Sequence, residues 1–330
     1  MIITKTPFRI SFVGGGSDLS EFYREHPGAV LSTTINKYMY ISSHKYFEHD
    51  KIRMKYSKTE TVKGIDEITH PIFKEALKMF QIQGGLELSS IADVPSGTGM
   101  GSSSSFTVGL LHNLYAIKGE HVSKERLAKE ACEIEIERLG EPIGKQDQYA
   151  AAYGGLNIFR FNTDETVSVE KVYLNKTILS DLEDNLIMFY TGSQRKANEI
   201  LTEQKSNTKS ADKKATLIEM THLVDELKIA LTSNKLDDFG KLLHENWLLK
   251  RGLASKISNN DIDDAYTLAM NNGALGGKLL GAGGGGFLLF YCIKEKQTKL
   301  IEAMKRFRRF PFGLEHEGSK VIYFGDEKDA

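Results

Sequence analysis

Pro95-Ser96-Gly97-Thr98-Gly99-Met100-Gly101-Ser102-Ser103-Ser104-Ser105 is the stretch on which the reading of this chain turns. Glycine at alternate positions permits backbone angles and close approaches that a Cβ would forbid. The serines that follow suit the first turn of a helix, where hydroxyls cap free N–H groups. Phe106, Val108, Leu110, Leu111, Leu114 and Tyr115 then recur at near-helical spacing. A glycine-rich loop opening a helix presents unpaired N–H groups and the positive dipole end at one place, which is an anion site. The stretch therefore predicts a phosphate cradle, with hydroxyls free for a metal ion or phosphate oxygens. A flexible Gly/Ser linker would not lead straight into an amphipathic helix. Two better-known cradles do not fit. A Walker A loop ends in Gly-Lys-Ser/Thr, and no lysine stands here. A dinucleotide turn reads G-x-G-x-x-G, whereas this loop reads G-x-G-x-G.

Composition bounds the rest. The chain has 330 residues, enough for two domains, with 40% hydrophobic and 26% charged residues, as in a soluble globular protein. A formal net charge of −1 gives no global field to attract nucleic acid or an anionic membrane. Cys132 and Cys292 lie far apart within apolar patterns and read as reduced core residues, not a disulfide or metal pair. Met1-Ile2-Ile3-Thr4-Lys5 does not begin a secretory signal, and no apolar run is long enough to span a bilayer. A cytoplasmic protein is expected.

Residues 2–13 alternate like a strand, with Pro7 as an interruption, and end in the turn Gly14-Gly15-Gly16-Ser17-Asp18. Gly28–Ser43, Lys51–Tyr56 and Gly85–Ile91 read as strands and Pro71–Phe80 as a helix, so the first part is α+β. Strands are expected again at Leu156–Phe161, Val167–Tyr173 and Asn185–Tyr190. Residues 196–272 read as mostly helical, including Asp212–Thr232 and Leu236–Leu253. Those two stretches leave open packing within the second domain or against a second copy in a homodimer. Gly281–Gly286 matches G-x-G-x-x-G, but a strand (Phe287–Cys292) follows where a helix is required, so a glycine hairpin is expected. Glu295–Arg308 reads as a last helix and Lys320–Phe324 as a last strand. The division falls between residues 165 and 195, giving domains 1–180 and 181–330.

Ser123–Leu139 reads as a helix with Ser123 as N-cap and Gly140 as stop. At 100° per residue Arg126, Glu130, Glu133 and Glu137 share a polar face. Glu135 falls on the opposite stripe with Ala128, Ala131, Cys132 and Leu139. A carboxylate there must be paired, hydrogen-bonded or metal-bound. Asp147 follows the turn Pro142-Ile143-Gly144, before a small-residue helical segment. Three glycine loops far apart in sequence, at 14–16, 97–101 and 281–286, suggest one composite site with phosphate, metal and acid–base chemistry.

In this arrangement the chain resembles the GHMP small-molecule kinases. Thr6-Pro7-Phe8-Arg9 with Gly14–Asp18 is similar to the family's first motif, Pro95–Ser105 to its ATP-binding second motif, and Lys278–Gly286 to its third. The resemblance runs nearly the whole chain, with the motifs in order. Within the family, FVGGGSDL, GEPIGKQDQYAAAYGG and YTGSQRKANEIL look most like the heptose 7-phosphate kinases, with anomeric fucose kinases as relatives. Gly15-Gly16 stand where family galactokinases carry Glu-His, which argues against galactose. Phe8 stands where glycine is more usual.

The resemblance implies a two-domain architecture: an N-terminal α+β domain carrying the ATP loop and a C-terminal ferredoxin-like domain with added helices. It implies ATP and Mg²⁺ as cofactors, with ATP and a sugar phosphate as partners and neither nucleic acid nor membrane. Pro95, Gly97, Gly99, Met100, Gly101, Ser102, Ser103 and Ser104 would hold the ATP phosphates. Ser103 and Glu135 would bind magnesium, whose oxygen ligands they suit. Asp147 would accept the proton of the anomeric hydroxyl, and Arg9 would stabilise charge on the transferring group. For the acceptor the expected residues are Gly15, Gly16, Ser17, Asp18, Gly283 and Gly284, with Arg195 and Lys196 for a distal phosphate. The expected reaction is transfer of phosphate to the anomeric oxygen of a heptose 7-phosphate, with another sugar such as fucose as alternative acceptor. Retention of Asp147, Arg9, Glu135 and Ser103 argues against a non-catalytic ATP- and sugar-binding regulator.

Overall fold

The structure, a computed structural model, describes residues 1–192 and 197–325. Its strands are β1 (Ile2–Val13), β2 (Gly28–Lys45), β3 (Ile52–Lys55), β4 (Thr59–Val62), β5 (Leu86–Ala92), β6 (Asn157–Phe161), β7 (Val167–Lys171), β8 (Leu186–Tyr190), β9 (Gly276–Leu279), β10 (Phe287–Tyr291), β11 (Arg308–Arg309), β12 (Leu314–Glu315) and β13 (Lys320–Phe324). The helices are α1 (Ser20–Tyr23), α2 (Pro71–Met79), α3 (Ser102–Ile117), α4 (Lys124–Cys132), α5 (Gln146–Tyr153), α6 (Lys176–Asn185), α7 (Ala197–Asn207), α8 (Ala211–Thr232), α9 (Leu236–Arg251), α10 (Asn260–Asn271) and α11 (Lys294–Ala303).

Pro7 does not interrupt β1. The register against β2 shifts between Pro7 and Phe8, a bulge that accommodates the missing N–H. β1 and β2 are the spine of the first sheet, ordered β13-β1-β2-β5-β3-β4, with β6 and β12 also pairing with β2. Helix α3 lies against β1 and β2. It is buried from Ser104 to Leu111, so hydroxyls on it must bond internally: Ser105 Oγ donates to Pro7 O (2.9 Å) and Thr107 Oγ1 to Ser103 O (3.1 Å).

The second sheet is ordered β11-β8-β10-β9 with every neighbour antiparallel. Chain order β8–helices–β9–β10–α11–β11 makes this the split β-α-β, ferredoxin-like arrangement, with α7 to α10 in the first crossover. Residues 281–286 link β9 to β10, the glycine hairpin read from the sequence. The division at residue 180 does not separate the sheets cleanly. β12 and β13 return to the first sheet, β13 covering the edge of β1 that would otherwise expose unpaired backbone groups. Asp212–Thr232 and Leu236–Leu253 are not confined to the second domain: α8 and α9 pack on each other and reach β1, α8 also reaches β2, and α9 lies against β9. They thereby form the seam between the two sheets. Among the described residues no helix is long and apolar enough to cross a membrane. Cys132 and Cys292 are buried free thiols.

Candidate active site

The cradle forms between β5 and α3. Gly97, Gly99 and Gly101 all have positive φ (75°, 83° and 73°), the region where a side chain is strained. Gly101 caps α3 with no side-chain hydrogen bond, which leaves the first-turn N–H groups without a side-chain cap. Ser102 is half-buried and Ser103 exposed at this end, whereas Ser104 is buried. Met100 turns its side chain into the core, and its carbonyl accepts Arg9 N (3.1 Å). The loop is thereby tied to β1.

The third glycine loop supports the second from behind. A Cβ on Gly99 would lie 2.5 Å from Leu280 O, and one on Gly281 would lie 2.3 Å from Gly99 Cα. Backbone passes against backbone there, and only glycine fits. Gly283 and Gly284, expected at the acceptor, make backbone contacts with the loop after α9. Gly284 N donates to Ile257 O (2.9 Å), and a Cβ on Gly283 would lie 2.6 Å from Ile257 Cα. The missing side chain of Gly283 and the N–H of Gly284 let the hairpin close on the loop after α9.

At the end of the cradle Arg9 meets Asp147, residues 138 positions apart. Nε and Nη2 of Arg9 donate to the two carboxylate oxygens at 2.7 and 2.8 Å, and Nη1 donates to Gly99 O at 2.6 Å. A bidentate guanidinium–carboxylate pair is directionally rigid. The side chains are 6% and 23% exposed, so Asp147 keeps an open flank. A Cβ on Gly101 would stand 3.1 Å from Asp147 Oδ2, which places the carboxylate against the start of α3.

Glu135 is fully buried, as the helical wheel predicted, but the helix around it differs. Regular α4 ends at Cys132, and Glu133–Arg138 continues as a π-helix with Leu139 N bonded to Ile134 O. The wider turn puts the consecutive residues Ile134 and Glu135 both inside, a local distortion of a kind that recurs at functional sites. Ser103 Oγ donates to Glu135 Oε1 (2.5 Å) and Gln148 Nε2 to Oε2 (2.8 Å). Burial pushes this carboxyl up to about 7, against the pull of Ser103, Gln148 and Ser104. A buried carboxylate beside an exposed serine at the cradle's helix end is a donor set of hard oxygens that fits Mg²⁺. Among the described residues no group of three or more His, Cys, Asp or Glu gathers as a closed cation cage.

The first glycine loop forms the other wall. Asp18 accepts Gly16 N (3.0 Å), Gln146 N (3.3 Å) and Gln146 Nε2 (3.1 Å); burial and then the Asp147 charge raise its pKa above the usual range. Asp18 thus buttresses the residue preceding Asp147. Ser17, expected to contact the acceptor, is instead spent on backbone. Its single O–H has Gly14 O (2.8 Å) and Ala29 O (3.0 Å) as carbonyl acceptors within reach, and its oxygen accepts Ala29 N (3.0 Å). Gly15 is open toward Lys250 Nζ and Gln146 Nε2, 3.8 and 3.9 Å from where its Cβ would be, and Gly16 abuts Gln204. Arg195 and Lys196 lie outside the described residues.

Two lysines enter the site, Lys250 from outside every sequence motif and Lys278 from the first position of the third one. Lys250, on α9, is 4% exposed, and its ammonium donates to Gly281 O (2.6 Å). Lys278, on β9, is fully buried and donates to Phe12 O (3.0 Å). Burial brings Lys250 down to about 8 and Lys278 well below its usual value. Apolar spacing on α9 would have marked Lys250 as inward-facing, with Phe239, Leu243, Asn246 and Trp247.

This geometry is that of a known class. Residues 69–155 match the family model described as GHMP kinases N terminal domain, and residues 227–309 match GHMP kinases C terminal. The chain belongs to the GHMP kinases, and is an ATP-dependent phosphotransferase. It is 31% identical to a D-glycero-alpha-D-manno-heptose 7-phosphate kinase of Campylobacter jejuni, over 97% of this chain and 98% of that protein. It is 27% identical to a bifunctional fucokinase/GDP-fucose pyrophosphorylase of Arabidopsis thaliana, over 89% of this chain and 30% of the plant protein. Among solved structures, a D-glycero-D-manno-heptose 1-phosphate kinase from Bacteroides thetaiotaomicron has the same fold, with TM-score 0.79 at 22% identity over 99% of this chain and all of that one. A putative sugar kinase from Campylobacter jejuni superposes with TM-score 0.77 at 29% identity, over 97% of both chains.

Proposed function

We propose that this protein transfers the γ-phosphoryl group of ATP to the anomeric hydroxyl of D-glycero-D-manno-heptose 7-phosphate, giving the 1,7-bisphosphate for activated-heptose synthesis. The observation that carries the chemistry is the Arg9–Asp147 pair held at the end of the glycine cradle. The choice of acceptor rests on the likeness to the Campylobacter jejuni heptose 7-phosphate kinase over nearly the whole of both chains.

In this reading the cradle and the first turn of α3 hold the ATP phosphates with backbone N–H groups and serine hydroxyls. Asp147, its carboxylate aimed by Arg9, accepts the proton of the anomeric hydroxyl on its open flank. The hydroxyl oxygen bonds to the γ-phosphorus, the bond to the bridging β–γ oxygen breaks, and ADP leaves. Arg9 places a fixed positive charge beside the transferring group; such preorganised charge is a large term in phosphoryl transfer. Glu135 and Ser103 would hold Mg²⁺, which when bound neutralises charge on the β- and γ-phosphates. Asp18 fixes Gln146 and with it the start of α5, so Asp147 does not drift. A cytoplasmic location suits ATP as donor.

The test is ADP release against a panel of free sugars and sugar phosphates. Turnover should be greatest, by kcat/KM, with heptose 7-phosphate. Preference for fucose over heptose 7-phosphate would sink the acceptor assignment, and no turnover with any sugar would sink the sugar-kinase reading.

A further inference from the structure

The first glycine loop is closed by groups from the second domain. Asn246, one turn before Lys250 on α9, accepts Gly14 N (3.0 Å), which pins the helix to the loop. Lys250 Nζ then points toward Gly15, 3.8 Å from its Cβ position, with Gly281 O as the one hydrogen-bond acceptor seen among the described residues. Three polar groups along the Gly15–Gly16 backbone lack the partners that burial demands. Gln146 Oε1 and Gln204 Nε2 are buried without a hydrogen bond among the described residues, and Gln204 as a whole is only 2% exposed. Lys250 has two donors to spare. Gln204 Nε2 lies 2.3 Å from where a Cβ on Gly16 would stand, so the amide looks onto the same loop. Unpaired buried donors and acceptors converging on a Cβ-free surface are what a polyhydroxylated ligand satisfies.

We propose that Lys250 is an acceptor-binding residue: its ammonium donates to an acceptor oxygen beside the reacting hydroxyl, with Gln204 and Gln146 completing the pocket across the domain seam. The inference rests on the kinase reading above, but not on which sugar is the acceptor. The neighbourhood makes a cation useful there. Asp18 from the first loop and Asp147 from α5 favour the charged form, whereas Arg9 from β1 and Lys278 from β9 oppose it. An oxygen-rich ligand supplies the solvation that burial removes. The arrangement also bears on the small residues at Gly15 and Gly16: a Cβ on Gly16 would run into Gln204 Nε2 (2.3 Å), and a side chain on Gly15 would grow toward Lys250 Nζ.

The experiment uses the full chain and whichever panel sugar the wild type turns over best, so a wrong acceptor identity shows in the wild-type panel alone. Lys250→Gln retains a donor for Gly281 O while removing the charge, and Lys250→Met removes both. Both variants are expected to raise the acceptor KM about 10- to 100-fold, the loss typical of a charged hydrogen bond, with ATP KM within about twofold. In wild type, acceptor kcat/KM should fall as pH rises through about 8, where the ammonium loses its proton, and both variants should lack that limb. Unchanged acceptor KM in Lys250→Gln, or equal rises in acceptor and ATP KM, would overturn the proposal. Should Lys250→Met fail to fold, Lys250→Gln alone decides. A wild type that neither binds nor turns over any sugar overturns it together with the kinase reading.

Discussion

Replacing Asp147 with Asn tests the catalytic geometry most directly. The carboxylate accepts Arg9 Nε and Nη2 at 2.7 and 2.8 Å and presents its remaining flank outward. Asn keeps one oxygen but turns an NH₂ toward a guanidinium that can only donate. The contact becomes donor against donor, at a stability cost of about 1–3 kcal/mol, and nearer the low end because water reaches a side chain that is 23% exposed. The kinetic effect is larger. A positioned base contributes about 10²–10⁴-fold, or about 3–5 kcal/mol of barrier. We expect kcat for ADP release with sugar to fall by that factor. The thermal shift produced by MgATP should stay near wild type, because the cradle's N–H groups are untouched. Arg9→Met should cost about as much, and the double variant little more than either alone, since the two side chains act as one unit. A kcat within about threefold of wild type in Asp147→Asn would refute the reasoning. Loss of MgATP binding equal to the loss of rate would transfer the residue's role from the acceptor to the nucleotide.

Two further outcomes follow from single sites. Gly99→Ala puts a methyl 2.5 Å from Leu280 O at a φ of +83°, so we expect a lower Tm by several degrees and a raised ATP KM; an unchanged Tm would mean the two loops do not need to touch. Glu135 bears on pH. Its pKa in the fold, about 7, lies above the unfolded value near 4.5, so the folded form holds the extra proton between these limits and stability falls as pH rises across them. Glu135→Gln should therefore raise the Tm of ligand-free protein at pH 8, by an amount that vanishes toward pH 4.5. Gln148, whose Oε1 is buried and unpaired among the described residues, can flip to accept the new amide. Added Mg²⁺ with ATP should stabilise wild type more than the variant, and equal stabilisation of both would remove Glu135 from the metal site.

Much of this site was legible before folding because its parts are local. The cradle needs glycines at alternate positions and a helix start, and both are nearest-neighbour properties of Pro95–Ser105. Glu135 was legible because a lone carboxylate on an apolar stripe has few physical explanations, and the stripe survives even where the helix widens into a π turn. Asp18, expected at the acceptor, is engaged as the brace of Gln146. Ser17 and Gly283–Gly284, expected at the acceptor, make backbone contacts in the fold. Small residues in a loop serve close backbone packing as readily as ligand approach, and sequence does not separate the two.

The order of glycine loops and the inward carboxylate, which local backbone geometry and helical periodicity dictate, belong to the sequence alone. The meeting of Arg9 with Asp147 and the insertion of Lys250 and Lys278 beneath the first loop belong to the tertiary structure. So does the return of β13 to the edge of β1. Each depends on which distant surfaces the two sheets press together. No spacing along the chain encodes that, because it emerges only when α8 and α9 bury their apolar faces against both sheets.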